Sequence, residues 1–169
     1  GSESNTLTFD YTVLSTDNNC DLDYASVSAL SSTNSIKDSA GNNATLTLAS
    51  PGATGSLGAN KALIIDNTAP SITVQNITIN VGAGSVTPTA SDINNGTTDS
   101  CDDSLTYQIS TGTFNCTDLG TTQSGVFRAT DDAGNFSEAS YTVTVVDTTI
   151  PVITMTGSSP VSVERLATY

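Results

Sequence analysis

The groups in this sequence best equipped for chemistry are carboxylates. Seventeen acidic residues stand against four Lys and Arg in 169, a formal charge of −13. Fourteen of those acids are Asp. They gather in stretches rich in Asn, Ser, Thr and Gly: Asp17, Asp21 and Asp23; Asp92, Asp99, Asp102 and Asp103; Asp131 and Asp132. Short acids in turns, next to Asn and backbone carbonyls, are what a hard cation with six to eight oxygen ligands needs. No EF-hand or glycine-rich nonapeptide spacing is present, so no motif assigns the ligands. The competing reading needs no ion: Asp and Asn favour turns anyway, because their side chains hydrogen-bond the nearby backbone.

Other chemistry is largely excluded. The chain has no His, which removes Ser-His-Asp and Cys-His nucleophile systems, the HExxH zinc site and imidazole acid/base relays. A glycosidase-type carboxylate pair needs two acids flanking a cleft, one raised in pKa by apolar surroundings. Here the acids lie among Asn, Ser and Thr, where nothing would desolvate one of them. Gly82-Ala83-Gly84 is a lone GxG without a following helix, hence a turn and not a phosphate cradle. Three cysteines occur without zinc-ligand spacing. Four cations offer no basic surface for phosphates, and the net charge repels nucleic acid and anionic lipid. No apolar window approaches 18 residues, so no direct membrane span is expected. No charged-then-apolar leader is seen, so a signal peptide is read as absent or removed. The expectation is that the chain is not an enzyme.

The elements that must position these acids are strands. Thr and Val are frequent and good helix formers sparse, with 29 Thr and 23 Ser among the residues. Period-two alternation runs through Leu7, Phe9, Tyr11 and Val13, and recurs at 44–48, 77–81, 126–130 and 141–145. Ala62 to Ile65 is a short continuous apolar run, read as a strand buried on both faces. No amphipathic helix is evident. The fold class is all-β.

Two joints punctuate the chain alike: Asp66-Asn67-Thr68-Ala69-Pro70 and Asp147-Thr148-Thr149-Ile150-Pro151. Each follows an apolar strand and precedes a new one (72–74 and 152–155), and each proline stiffens the joint by fixing φ and extending the residue before it. The joints lie 81 residues apart, about one immunoglobulin-sized module. A second echo pairs Asp38-Ser39-Ala40-Gly41-Asn42 with Asp131-Asp132-Ala133-Gly134-Asn135. Gly at the fourth place suits a left-handed position in a hairpin loop. The echo reads equally as repetition or as a good turn sequence used twice.

Residues 21–24, 36–48 and 55–66 resemble the carboxy-terminal half of a bacterial Ig-like repeat, as found in very large cell-surface adhesins. Residues 71–147 resemble the hyalin-repeat (HYR) type of Ig-like module in secreted proteins of gliding bacteria. The residues carrying this second resemblance are Gln75 to Thr78, Asp92 to Asp99, Phe114-Asn115-Cys116 and Ala129 to Asn135. Residues 151–163 look like the first strands of a further module. The resemblance implies tandem antiparallel, Greek-key β-sandwiches: 1–66 the end of one module, 67–147 a whole one, 148–169 the start of a third. A half sandwich leaves an uncovered core face, so the chain is read as a segment of a much larger protein. Gly1-Ser2 fits either a tag remnant or native sequence.

The resemblance also supplies site expectations. Cys101 and Cys116 stand where the HYR type places a disulfide, the alternative being two free thiols; Cys20 is then buried or open to intermolecular pairing, burial being the blander choice. In an Ig sandwich the B–C and F–G loops sit where the chain enters the module. That brings Asp131 and Asp132, and the Asp92 and Asp99 stretch, towards Asp66 and Asn67. Ca²⁺ there would clamp two modules, as in cadherin-like arrays; Asp21 and Asp23 are further candidate ligands. Ser39, Ser104 and Thr148 match the O-glycosylation pattern of gliding-type bacteria, and Asn76 and Asn95 head N-x-[ST] sequons. The implied role is a stalk or spacer in an extracellular adhesin of the bacterial cell surface, linked to gliding motility. Its partners would be neighbouring modules, outer-membrane anchoring proteins or surface polysaccharide. The alternative is a ligand- or carbohydrate-binding accessory module of a secreted enzyme, against which the absence of Trp and the scattered Tyr weigh.

Overall fold

A computed structural model describes residues 8–32 and 36–154. Among the described residues, regular structure begins late. A single helical turn, α1 (Leu57–Asn60), starts at Ser56, whose hydroxyl accepts the Ala59 N–H. After the Asp66 joint come β1 (Ile77–Asn80), β2 (Ser85–Val86), the one-turn helix α2 (Ala90–Ile93), β3 (Thr106–Ile109) and β4 (Phe114–Asn115). A 3₁₀ turn (Cys116–Asp118) leads to the long hairpin of β5 (Thr122–Thr130) and β6 (Phe136–Val146).

Four strands form a mixed sheet in the order β1-β6-β5-β3. β6 pairs antiparallel with β5 from Thr130↔Phe136 to Thr122↔Thr144, and parallel with β1 from Ile77↔Val143 to Asn80↔Val146. β2 and β4 form a separate two-stranded antiparallel sheet. Alternation does what it should in the long hairpin. Gly125, Phe127 and Ala129 of β5 and Tyr141, Val143 and Val145 of β6 are buried on one face, with Ser and Thr mostly on the other. Val81, Ile93 and Phe114 complete the core. Gly125 faces Tyr141 across the ladder, and a Cβ there would come within 3 Å of the Tyr141 ring and of Thr111. The absent side chain lets the ring lie flat, with its hydroxyl bonded to Thr111 Oγ1 at 2.5 Å.

The first region differs from the expectation. Residues 8–13 and 44–48 alternate in sequence but form no strand, and 62–65 contributes only the bridge Asn19↔Ile65. Phe9, Tyr11 and Val13 are exposed. Alternation creates an apolar face but no ladder, because a ladder needs a partner's N–H and C=O groups, and none among the described residues pairs with 8–13. Leu7 and Met155 lie outside the described residues. Segments 71–74 and 152–154 are not strands either, although Ser71↔Thr98 and Val74↔Asn94 make single bridges.

The two D-x-A-G-N sequences do fold alike. Gly41 and Gly134 take φ of +91° and +93°. In each turn the glycine N–H donates to the Asp carbonyl, and the Asn side-chain amide donates to the Asp carboxylate. Both joints repeat a motif too: Asp66 Oδ1 accepts the Thr68 N–H and Asp147 Oδ1 the Thr149 N–H.

Candidate metal centre

Three segments distant in sequence deliver one carboxylate each to the entrance of the sheet. Asp66 arrives on the joint, Asp99 on the loop between α2 and β3, and Asp131 on the β5–β6 turn. One oxygen from each lies within 4.8 Å of the others. Local donors fix each group. Asp99 Oδ1 accepts the N–H of Cys101 at 2.8 Å and of Asp102 at 3.2 Å. Asp131 Oδ1 accepts the Asn135 N–H at 2.7 Å, and its Oδ2 accepts the Asn135 amide at 2.9 Å. That same amide donates to the Asp66 backbone carbonyl at 3.2 Å, so one side chain ties the joint to the turn. Asp131 is only 5 % exposed.

The Oδ2 atom of Asp99 is buried and has no hydrogen-bond partner among the described residues. An unpaired buried acceptor forfeits its hydration without compensation. The only ion pair among the described residues joins Arg128 to Glu138 and leaves these three carboxylates without a cationic side chain. Hard oxygen donors, like charge and one orphaned oxygen suit a cation such as Ca²⁺, whose remaining positions water or backbone carbonyls would fill. A cavity of about 280 Å³ adjoins the cluster, lined by Ile64, Asp66, Cys101, Asp102, Asp132 and Ala133.

The other candidate ligands lie elsewhere in the network. Asp132 borders the cavity and gives its N–H to Asp102 Oδ2 at 2.6 Å. Asn67 turns to the preceding region, its amide donating to the Asp17 carbonyl at 2.7 Å. Asp92 caps α2: the Thr89 N–H and then the Thr89 hydroxyl donate to its carboxylate and hold it below the usual carboxylate pKa. Asp21 and Asp23 both face Gly58 in α1. Desolvation pushes Asp23 upward, but donors from Gly52, Ser56, Tyr24 and Gly58 outweigh it and leave the pKa lowered. Asp92 and Asp23 therefore accept local hydrogen bonds, and all three acids lie outside the triad.

The expected Cys101–Cys116 disulfide is not formed. Cys101 pairs with Cys20 across a separation of 81 residues, with a Cα–Cα distance of 4.8 Å. Cys116 is an exposed free thiol that donates to the Gly82 carbonyl. The reason is positional. Cys101 lies beside the β5–β6 turn, whereas Gly82 follows the end of β1, which pairs with the far end of β6. Most of the length of β6 separates the two thiols. Cys20, expected to be buried or open to intermolecular pairing, is instead exposed and bridged within the chain. Sequence reasoning also missed Asn135 as the residue linking Asp66 to Asp131. The signal available was its place as last residue of the repeated turn. Ser39, Ser104 and Thr148 are exposed, Thr148 Oγ1 accepting from the Asn80 amide at 2.6 Å.

No helix among the described residues is long and apolar enough to cross a membrane. No protein-family model matches the chain, and no curated protein matches it.

Proposed function

We propose that this chain is a stalk or spacer segment of a large secreted or surface-anchored bacterial adhesin, built of Ig-like modules, and that Ca²⁺ bound by Asp66, Asp99 and Asp131 stiffens its joint. The observation that carries this reading is the orphaned Asp99 Oδ2 in a three-segment carboxylate cluster at the joint. A cation there would hold the linker against two loops of the following module, and so fix the angle at which one region leaves the other. The Cys20–Cys101 disulfide is compatible with an oxidising, extracellular setting. Partners would be the flanking modules, and at a distance anchoring proteins or surface polysaccharide. Exposed Ser39, Ser104 and Thr148 would be open to O-glycosylation; an intact mass without added sugar on protein from the native host would remove that part.

Small-angle scattering with calcium and with a chelator tests the clamp. The expected outcome is a longer, narrower distance distribution in calcium, lost in Asp99→Asn. Identical profiles in calcium and chelator would sink the clamp.

A further inference from the structure

Asp66 and Asp99 come from different parts of the chain, yet a short path joins them. Ile65, next to Asp66, exchanges two backbone hydrogen bonds with Asn19, at 2.7 and 2.9 Å. Asn19 adjoins Cys20, which is bonded to Cys101. The Cys101 N–H in turn donates to Asp99 Oδ1 at 2.8 Å, fixing the carboxylate whose other oxygen is buried and without a hydrogen-bond partner among the described residues. The disulfide thus closes a ring that holds two of the three carboxylates in register. The third, Asp131, is held by Asn135, which also donates to the Asp66 carbonyl.

We propose that the Cys20–Cys101 disulfide sets the cation affinity of the Asp66–Asp99–Asp131 centre, so that an intact bridge and bound calcium stabilise each other. This rests on the clamp reading above. Reduction takes two electrons and two protons from a dithiol, which becomes its own disulfide, and leaves thiols at Cys20 and Cys101. The covalent link in the ring is then gone, and Asp99 is positioned by its own loop alone. Coupling between two such sites is reciprocal: whatever factor reduction costs in calcium affinity, calcium returns as resistance to reduction.

The test uses the full chain with calcium chloride as probe. Titration calorimetry of the oxidised chain should show binding that weakens roughly tenfold after reduction, within the usual span of coupling between sites. A second measurement covers the case in which the reduced chain unfolds. The oxidised chain is equilibrated with dithiol buffers of graded ratio, alkylated and weighed, one labelled thiol marking the intact bridge and three the open one. Saturating calcium should move the midpoint ratio by a similar factor in the natural chain and leave it fixed in Asp99→Asn. Equal affinity before and after reduction, or an unmoved midpoint in a chain that binds calcium, overturns the linkage and leaves the clamp standing. Absence of binding by the oxidised chain overturns the clamp, and the linkage with it.

Discussion

The turns at Asp38 and Asp131 share a sequence pattern, a left-handed glycine and nearly the same hydrogen bonds, but they stand in different settings. The Asp131 turn closes a nine-pair antiparallel ladder, and its carboxylate is buried beside Asp66 and Asp99. The Asp38 turn closes the single bridge Lys37↔Asn43, and its carboxylate is exposed. Five residues are enough to set a turn's backbone. What the turn does depends on the strands it joins and on the chain segments brought against it. The regions around them differ in the same sense: 77–146 has a ladder and a common core, whereas 8–66 has scattered bridges and exposed apolar side chains.

The sharpest way to probe that contrast is to empty the core. Phe127→Ala should cost about 4 kcal/mol, whereas Leu48→Ala, half-buried in the first region, should cost about 1 kcal/mol. Urea unfolding measures both, and equal losses would mean that 8–66 has a core of its own. The next test compares the turns directly. Asn135→Ala removes the amide that serves both Asp131 and the Asp66 carbonyl, leaving a buried carboxylate oxygen short of a donor, for about 2 kcal/mol. Asn42→Ala at the matching place in the exposed turn should stay within about 0.5 kcal/mol. Gly134→Ala should cost about 1 kcal/mol, from forcing an alanine into positive φ.

The smallest effect is in acid. Asp92 has a folded-state pKa below its unfolded value, because Thr89 donates to the ionised form. Its contribution is therefore present above the ordinary carboxylate pKa, near 4, and fades as pH falls through the lower folded value. Unfolding midpoints between pH 6 and 3 should drop in the natural chain and drop less in Asp92→Asn. Asp38, lowered by its Asn42 side-chain and backbone donors, acts in the same window, but on an exposed turn with little to hold.

Much of this was legible in the residues. Period-two runs at 77–81, 126–130 and 141–145 became strands because each found a partner. The runs at 8–13 and 44–48 did not, and nothing in their own sequence distinguishes them, since pairing is a property of two segments. Asp66 and Asp131 were legible through the joint and the repeated turn, and Asp99 through its place in the acidic stretch before β3. Asp92 carried the same composition signal as Asp99 but is consumed as a helix cap, a difference of three-dimensional register. The disulfide was not legible at all. Three cysteines permit three pairings, and the choice turns on the Asn19–Ile65 bridge that delivers Cys20 to the joint.

The parallel pairing of β1 with β6 has one more consequence. Residue 76 enters β1 at the end nearer the joint, and residue 147 leaves β6 at the opposite end. Tension applied through those two points would slide β1 along β6, loading the rungs from Ile77↔Val143 to Asn80↔Val146 together and not peeling them one at a time. Rupture then requires several hydrogen bonds to fail at once, so the outermost strand of this sheet is placed where a chain under tension resists extension most.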